Sequence, residues 1–199
     1  MASLQVVSHW FDSSIAHFPL QGCIVTHPVV PASPVQMVVG LGRSGRGAAR
    51  LLKALGHTVL VLESRGGAAL ETEAADLRAE GITVCLEAPL RLETFANLPA
   101  PHTVTVSPGI PWDHPVLEAL RERGVRIQGE ISPAWRATGE GAISWIGITG
   151  TNGKTTVTHL VHHLLSSAGL DAPLCGNVGF SAAELALQCL QSGRRPDWL

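Results

Sequence analysis

The sequence has no large excess of charge of either sign and no long apolar run. Lysine and arginine together number 14 against 16 for aspartate and glutamate, which gives a formal net charge of −2. This balance argues against the basic surface with which proteins bind nucleic acid or an acidic membrane. No apolar run approaches the roughly 20 residues of a membrane-spanning helix, and no signal-peptide pattern opens the chain. We therefore expect a cytoplasmic monomer with no nucleic-acid partner and no membrane insertion.

Closely spaced cysteines are also missing. Cys23, Cys85, Cys175 and Cys189 form no CxxC pair and have no spacing typical of metal ligands. Zinc sites and the disulfide frameworks of small secreted domains depend on such spacing. The pattern therefore predicts four reduced thiols.

What is present is enough apolar sequence for a sizeable core, with 45% hydrophobic and 15% charged residues in 199. Residues 1–34 contain three histidines, several prolines and a single charged side chain, Asp12, and predict a leader of weak structure. From residue 35, short β-branched runs alternate with stretches of helical period, which is typical of a parallel sheet covered on both faces. The predicted strands are 35–39, 58–62, 82–86, 103–106 and 125–128, and the predicted helices are 45–55, 70–80 and 115–123.

A second alternating series occupies residues 138–199. It predicts strands at 143–148 and 173–175 and helices at 154–168 and 182–191. The predicted fold class is thus α/β: a Rossmann-like, doubly wound parallel sheet domain over 35–137, followed by a truncated P-loop α/β domain. Because the second unit has too few strands to close a three-layer sandwich, we expect the sequence to be a piece of a longer protein.

The first motif is a glycine-rich loop, Gly40-Leu41-Gly42-Arg43-Ser44-Gly45, between the first predicted strand and helix. Glycine permits the tight turn, lets a phosphate approach the backbone and allows the helix to pack closely on the strand. Glu63 ends the second predicted strand, where a Rossmann domain places an acidic residue on a ribose hydroxyl. The loop predicts a nucleotide or dinucleotide site.

The second motif, Gly150-Thr151-Asn152-Gly153-Lys154-Thr155-Thr156, lies between a predicted strand and a predicted helix. Its backbone N–H groups can surround phosphates, Lys154 can reach the β and γ oxygens, and the Thr155 hydroxyl can coordinate Mg²⁺. The loop is shorter than the general G-x-x-x-x-G-K-[ST] pattern. These seven residues predict an ATP site, with Thr155 as a metal ligand and Mg²⁺ as the cofactor.

Two phosphate loops in tandem favour an ATP-consuming enzyme whose first domain holds a substrate that carries a nucleotide. An NAD(P)-dependent oxidoreductase is the first alternative, because the glycine loop and Glu63 also suit a dinucleotide. A non-catalytic nucleotide-binding remnant is the second alternative.

Five segments share their order and spacing with a known family: VVGLGRSG at 38–45, SPGI at 107–110 with His114-Pro115 after it, GEI at 129–131, IGITGTNGKTT at 146–156 and GNVG at 176–179. In these segments the chain resembles the Mur ligases of peptidoglycan synthesis. Members that add the third residue or the terminal dipeptide lack this first glycine loop, and alanine-adding members typically carry His where this chain has Asn152. The resemblance is therefore greatest to the members that add D-glutamate.

The resemblance implies an ATP-dependent amide-bond-forming ligase with UDP-N-acetylmuramoyl-L-alanine and D-glutamate as substrates and an acyl phosphate as the intermediate. It makes 35–137 the domain that binds the UDP-substrate and 138–199 the start of the central ATP-binding domain. Lys154 and Asn177 would be the catalytic residues. Implied substrate contacts are Arg43 and Ser44 at the diphosphate, Glu63, Ser64 and Arg65 at the uridine end, Ser107, Pro108 and Gly109 at the domain junction, and Asn177 at the reacting carboxylate.

The resemblance also implies parts that these 199 residues do not contain. An acidic Mg²⁺ ligand, a catalytic histidine, a carbamylated lysine and a C-terminal domain that helps to bind ATP and D-glutamate are all expected beyond Leu199. We therefore expect no ligase activity from these residues alone.

Overall fold

The computed structural model describes residues 34–139 and 143–199. The predicted leader, apart from Pro34, lies outside these ranges. Within them, a central parallel sheet carries helices on both faces. Its strands are β1 (Val35–Val39), β2 (Thr58–Leu62), β3 (Thr83–Cys85), β4 (Pro101–Val106) and β5 (Arg126–Gly129). The helices are α1 (Arg43–Ala54), α2 (Ala68–Ala79), α3 (Leu92–Ala96), α4 (Pro115–Glu122), α5 (Ile131–Ala137), α6 (Lys154–Ser167) and α7 (Ala182–Ser192).

The sheet has the strand order β3-β2-β1-β4-β5, and every neighbouring pair is parallel. All five residues of β1 are buried because it lies at the centre with helices on both sides. Its side chains alternate between two cores. Val35, Met37 and Val39 pack on the α4 side, and Val38 packs with Ala49 and Leu52 of α1. The predicted doubly wound α/β fold is confirmed.

The order of the strands reverses at β1. The chain runs outward from β1 through β2 to β3, and then crosses back to place β4 on the other side of β1. Such a reversal leaves a crevice at the carboxyl ends of the two strands, which is where ligands bind in open α/β sheets. Gly40 follows β1 and Ser107 follows β4, so the glycine loop and the SPGI segment lie at this crevice.

The predicted strands at 143–148 and 173–175 are wrong as continuous strands. Ser144 forms one isolated bridge with Trp198, and the N–H of Ile146 donates to the carbonyl of Leu199 over 2.8 Å. Cys175 forms one bridge with Phe180. A continuous strand forms where a neighbouring strand pairs with it along its length. In the part of the chain that the structure describes, each of these two segments pairs with a few residues only. The short helices α3 and α5 were not predicted.

Helix α7 attaches the second segment to the first. Ala182, Ala183 and Ala186 pack against Ala48 and Leu51 of α1. The approach is close at Gly47, where an added Cβ would lie 2.5 Å from the hydroxyl oxygen of Ser181. Helix α6 differs from α7 in its burial. In the structure as described, no residue of α6 is buried.

The prediction of four reduced thiols is confirmed for Cys175 and Cys189, which are free, and is wrong for Cys85, which is disulfide-bonded. Cys23 lies outside the described residues. Sequence spacing does not determine which thiols come within bonding distance, since that depends on the folded positions of their Cα atoms. No helix in ranges 34–139 and 143–199 is long and apolar enough to cross a membrane.

Candidate functional site at the junction of two phosphate loops

The glycine loop after β1 has the geometry that a phosphate site requires. A Cβ on Gly45 would lie 1.9 Å from the carbonyl oxygen of Gly40, so only glycine fits at this position in the first turn of α1. Gly40 itself has φ +99° and faces Ser107 so closely that a Cβ would be 2.7 Å from that hydroxyl oxygen. Nothing lies within 4 Å of a Cβ placed on Gly42. The first and third glycines therefore close the turn, and the second leaves open space for a ligand.

Glu63 supports this loop from the end of β2. Its carboxylate is 4% exposed and accepts the backbone N–H of Leu41 over 2.8 Å. It also accepts the backbone N–H of Arg65 and the Arg65 guanidinium, each over about 3 Å. Burial raises the pKa of Glu63, but the hydrogen bonds from Arg65 and Leu41 outweigh it and lower the pKa to about 2. The buried carboxylate is thus ionised, and both of its oxygens accept hydrogen bonds from Leu41 and Arg65. Ser64 and Arg65 are exposed and face solvent.

Arg43 extends from the glycine loop across to the second segment. Its guanidinium donates to the carbonyl oxygens of Gly179 and Gly176, each over 3.2 Å, and of Asn177 over 3.5 Å. Two residues predicted to bind substrate, Arg43 and Asn177, are thereby brought into contact across the junction of the two segments.

Glu130, directly after β5, lies beside the same loop. It is 7% exposed, and its Oε2 has no hydrogen-bond partner among the described residues. Burial raises the pKa of this carboxyl, and a hydrogen bond from Ser44 and the charge of Arg43 oppose that effect. A buried carboxyl oxygen without a partner is rare, and such groups are often found at functional sites.

The second phosphate loop is exposed from Thr149 to Thr156. Gly150 and Gly153 have φ +148° and +73°, values that favour glycine. The ammonium group of Lys154 donates to the carbonyl oxygens of Gly150 over 2.6 Å and Thr151 over 3.2 Å. Lys154 therefore lies across its own loop, with the N–H groups of the first turn of α6 beside it.

A cavity of about 990 Å³ lies between the sheet domain and the second segment, and no residue of the glycine loop 40–45 is on its wall. The first domain contributes the turn after β4 and the residues after β5, and the second segment contributes the start of α6 and the turn before α7. The predicted site residues on its wall are Ser107, Pro108, Gly109, Lys154, Thr155 and Asn177.

Comparison with known proteins identifies the domains that carry this cavity. The model of the "Mur ligase MurD-like, N-terminal domain" matches residues 35–129, and that of the "Mur ligase middle domain" matches residues 148–190. Together these two regions cover most of the chain. The chain belongs to the Mur ligase family.

Relatives within the Mur ligase family are highly similar over the described region. A protein of Parasynechococcus marenigrum named "UDP-N-acetylmuramoylalanine--D-glutamate ligase" is 55% identical over 82% of this chain and 35% of its own length. One of the same name from Prochlorococcus marinus is 57% identical over the same shares. A solved UDP-N-acetylmuramate-alanine ligase of Thermotoga maritima aligns with TM-score 0.42 and 23% identity over 70% of this chain and 30% of that one. The chain thus spans about a third of the length of the curated relatives it matches.

Two residues on the cavity wall, Glu130 and Trp112, were not among the predicted site residues. Glu130 lies in the recognised GEI segment, but nothing in the sequence indicated that one of its carboxyl oxygens is buried without a partner. Trp112, on the cavity wall, is 54% exposed, with the Arg121 guanidinium 4.7 Å from its ring centroid. Glu130 comes directly after β5 and Trp112 lies in the connection between β4 and α4, which is a signal that could have found them, since ligand-binding residues in such sheets cluster at the carboxyl ends of strands.

Proposed function

We propose that this chain provides the UDP-substrate domain and the ATP loop of a ligase that adds D-glutamate to UDP-N-acetylmuramoyl-L-alanine. The observation that carries the proposal is the shared cavity, on whose wall Ser107 of the substrate domain and Lys154 of the ATP loop both lie. A carboxylate and a triphosphate must meet in such a reaction, and a cavity bounded by the turn after β4 and by the start of α6 can hold both. The printed names of the relatives support this choice of substrates.

On the substrate side, the open space at Gly42 and the N-terminus of α1 suit the diphosphate. Arg43 and Ser44 follow on the same turn and would complete this contact. The exposed Ser64 and Arg65 suit the uridine end, with Glu63 holding Arg65 in place. The Ser107-Pro108-Gly109 turn and Asn177 would then contact the part of the substrate that reaches into the cavity.

On the ATP side, the donor set fits a triphosphate with its magnesium ion. Lys154 supplies a cation, Thr155 and Thr156 supply hydroxyl groups, and the residues from Gly150 to Gly153 supply an exposed backbone. Thr155 is the residue that would bind Mg²⁺, whose charge helps to neutralise the phosphate oxygens. No cluster of three or more His, Cys, Asp or Glu that could hold a metal occurs within the described part of the chain. We expect the acidic ligand in the part of the relatives that this chain does not span.

The reaction has two steps. The terminal carboxylate of UDP-N-acetylmuramoyl-L-alanine attacks the γ-phosphorus of ATP, the bond to the β–γ bridging oxygen breaks, and ADP leaves. The amine of D-glutamate then attacks the acyl carbon, phosphate leaves, an amide forms, and the amine proton passes to a base.

Within these steps, Lys154 would offset the repulsion between carboxylate and triphosphate, and Asn177 would orient the reacting carboxylate. Both would act as positioned hydrogen-bond donors at the point where negative charge accumulates. The D-glutamate site is expected mostly in the region that this chain does not span.

The geometry of Glu63 disfavours the oxidoreductase alternative. A dinucleotide-binding acid must accept the hydrogen bonds of a ribose, and both oxygens of Glu63 already accept bonds from Leu41 and Arg65. The second alternative, a non-catalytic remnant, predicts nucleotide binding without catalysis and is tested through Lys154.

The proposal is tested by calorimetric titration of the chain with UDP-N-acetylmuramoyl-L-alanine, with NADH and with a non-hydrolysable ATP analogue. We expect binding of the UDP-substrate and of the analogue, and none of NADH. Lys154→Ala should weaken binding of the analogue by about tenfold, which corresponds to roughly 1.4 kcal/mol. Lys53→Ala, an exposed lysine on α1, is the matched control and should change nothing. Tight binding of NADH without a response to the UDP-substrate would contradict the proposal.

Whether the loop serves catalysis requires the same substitution in a close relative that contains the remaining domains. Loss of amide formation there would support the ligase, and an unaffected rate would exclude an ATP role for this loop.

A further inference from the structure

Arg43 joins two parts of the site that are far apart in the sequence. Its backbone belongs to the glycine loop at the start of α1, whereas its guanidinium donates to three carbonyl oxygens of the segment 176–179, which we call the asparagine turn. Because α1 begins at Arg43, the side chain runs directly from the phosphate loop to the turn that carries Asn177.

The asparagine turn is closed by backbone hydrogen bonds between its two ends. The N–H of Gly176 donates to the carbonyl of Phe180 over 2.8 Å, and the N–H of Phe180 donates to Leu174 over 3.3 Å. Gly179 has φ +76°, and a Cβ there would lie 2.3 Å from the carbonyl oxygen of Leu174. These hydrogen bonds and the close contact at Gly179 limit how the turn can deform, so holding the carbonyls of Gly176 and Gly179 also restrains Asn177 between them.

A guanidinium suits this contact better than an ammonium group would. Arg43 uses both terminal nitrogens, Nη1 on Gly179 and Nη2 on Gly176 and Asn177, so its planar fork sets an orientation as well as a distance. A lysine carries the same charge on one flexible nitrogen, which cannot reproduce the two-armed contact.

The loop end of this connection is also anchored. Ser44, the next residue, hydrogen-bonds to the buried Glu130 after β5, and Glu63 holds the backbone of Leu41. The base of the Arg43 side chain is therefore held by the sheet, while its tip holds the asparagine turn.

We propose that Arg43 is a positioning residue: by clamping the carbonyls of the asparagine turn, it sets the distance between the glycine loop and Asn177. In the proposed function, this is the distance between the diphosphate of the substrate and its reacting carboxylate. The clamp is thus distinct from a direct charge contact of Arg43 with the diphosphate, because the clamp requires the guanidinium fork and the charge contact requires only a cation.

The first test needs no ligand. Hydrogen exchange is measured for the amides of Gly176 and Phe180 in the unmodified chain, in Arg43→Lys and in Arg43→Gln. Both variants should exchange at these amides about fivefold faster or more, because the turn has lost its clamp. Arg50→Lys is the matched control, since Arg50 lies on the same helix and pairs with Glu80 instead. Unchanged exchange of Val38 in β1 reports that each variant is folded.

The second test rests on the proposed function and compares two ligands in Arg43→Lys, which retains the positive charge. Affinity for UDP-N-acetylmuramoyl-L-alanine should fall about fivefold or more, and affinity for UDP, which carries the diphosphate but not the acylated sugar, should fall clearly less. Arg50→Lys should leave both affinities unchanged.

The outcomes separate the two proposals. Turn amides that exchange in Arg43→Lys as in the unmodified chain would overturn the clamp, and so would equal losses of affinity for UDP and for the longer ligand. If the unmodified chain bound neither ligand, the proposed function would fail, and the exchange measurement would still decide whether the clamp exists.

Discussion

Replacement of the buried Glu63 by glutamine should lower stability in a way that depends on pH. The folded structure lowers the pKa of this carboxyl from its ordinary value of 4.5 to about 2, so the folded state favours the ionised form. A depressed pKa contributes stability that is fully present above the unfolded pKa and is lost as pH falls through the folded pKa. The effect should therefore be complete at pH 7 and decline between about pH 5 and pH 2.

The magnitude follows from the same two values. One pKa unit corresponds to about 1.4 kcal/mol, so Glu63→Gln should cost about 3 kcal/mol at pH 7. At pH 3 the folded carboxyl is still mostly ionised while the unfolded one is mostly protonated, and the cost should fall to roughly 1 kcal/mol. The conversion is meaningful for this residue because its side chain is 4% exposed and little screened by water.

The assay is urea unfolding of the unmodified chain and of two variants at pH 7 and pH 3. Glu80→Gln is the matched control, because Glu80 also pairs with an arginine, Arg50, but its side chain is 41% exposed. An exposed pair contributes about 1 kcal/mol or less. Two results would refute this prediction. One is a loss in the free energy of unfolding at pH 7 that is equal for Glu63→Gln and Glu80→Gln, and the other is a Glu63→Gln loss that is no smaller at pH 3 than at pH 7.

Two further predictions concern the glycine loop and Glu130. Gly45→Ala should destabilise the fold by about 3 kcal/mol or more in urea unfolding, because its Cβ would meet the Gly40 carbonyl oxygen at 1.9 Å. Gly42→Ala should change stability by about 0.5 kcal/mol or less and yet weaken UDP binding by about tenfold, since its Cβ would occupy the open space. Equal stability losses in the two would contradict this assignment of roles. Burial raises the pKa of Glu130, so its ionised form opposes folding, and Glu130→Gln should stabilise the chain more at pH 8 than at pH 4. A lower stability of this variant at pH 8 would contradict that sign.

Much of the fold was determined by the sequence alone. The β-branched runs and the helical periods depend on neighbouring residues, so they located β1 and β2 exactly as the structure has them and α6 and α7 to within a residue. The motif glycines likewise placed both phosphate loops between a β-type segment and a helix. A close backbone contact such as the one at Gly45 can be predicted from the sequence, because only glycine fits there.

The contacts across the junction were decided by the tertiary structure. Arg43 and Asn177 are separated by 134 positions, and no local pattern records that the guanidinium of one meets the carbonyl of the other. The hydrogen bond from Leu41 to Glu63, the lack of a partner for Oε2 of Glu130 among the described residues, and the disulfide at Cys85 have the same origin. The segment 143–148 has a strand-like composition, but strand pairing requires a neighbour, and within ranges 34–139 and 143–199 only Trp198 and Leu199 pair with it. The local sequence determines which secondary structure a segment can form. The tertiary packing determines which groups, distant in the sequence, that segment contacts.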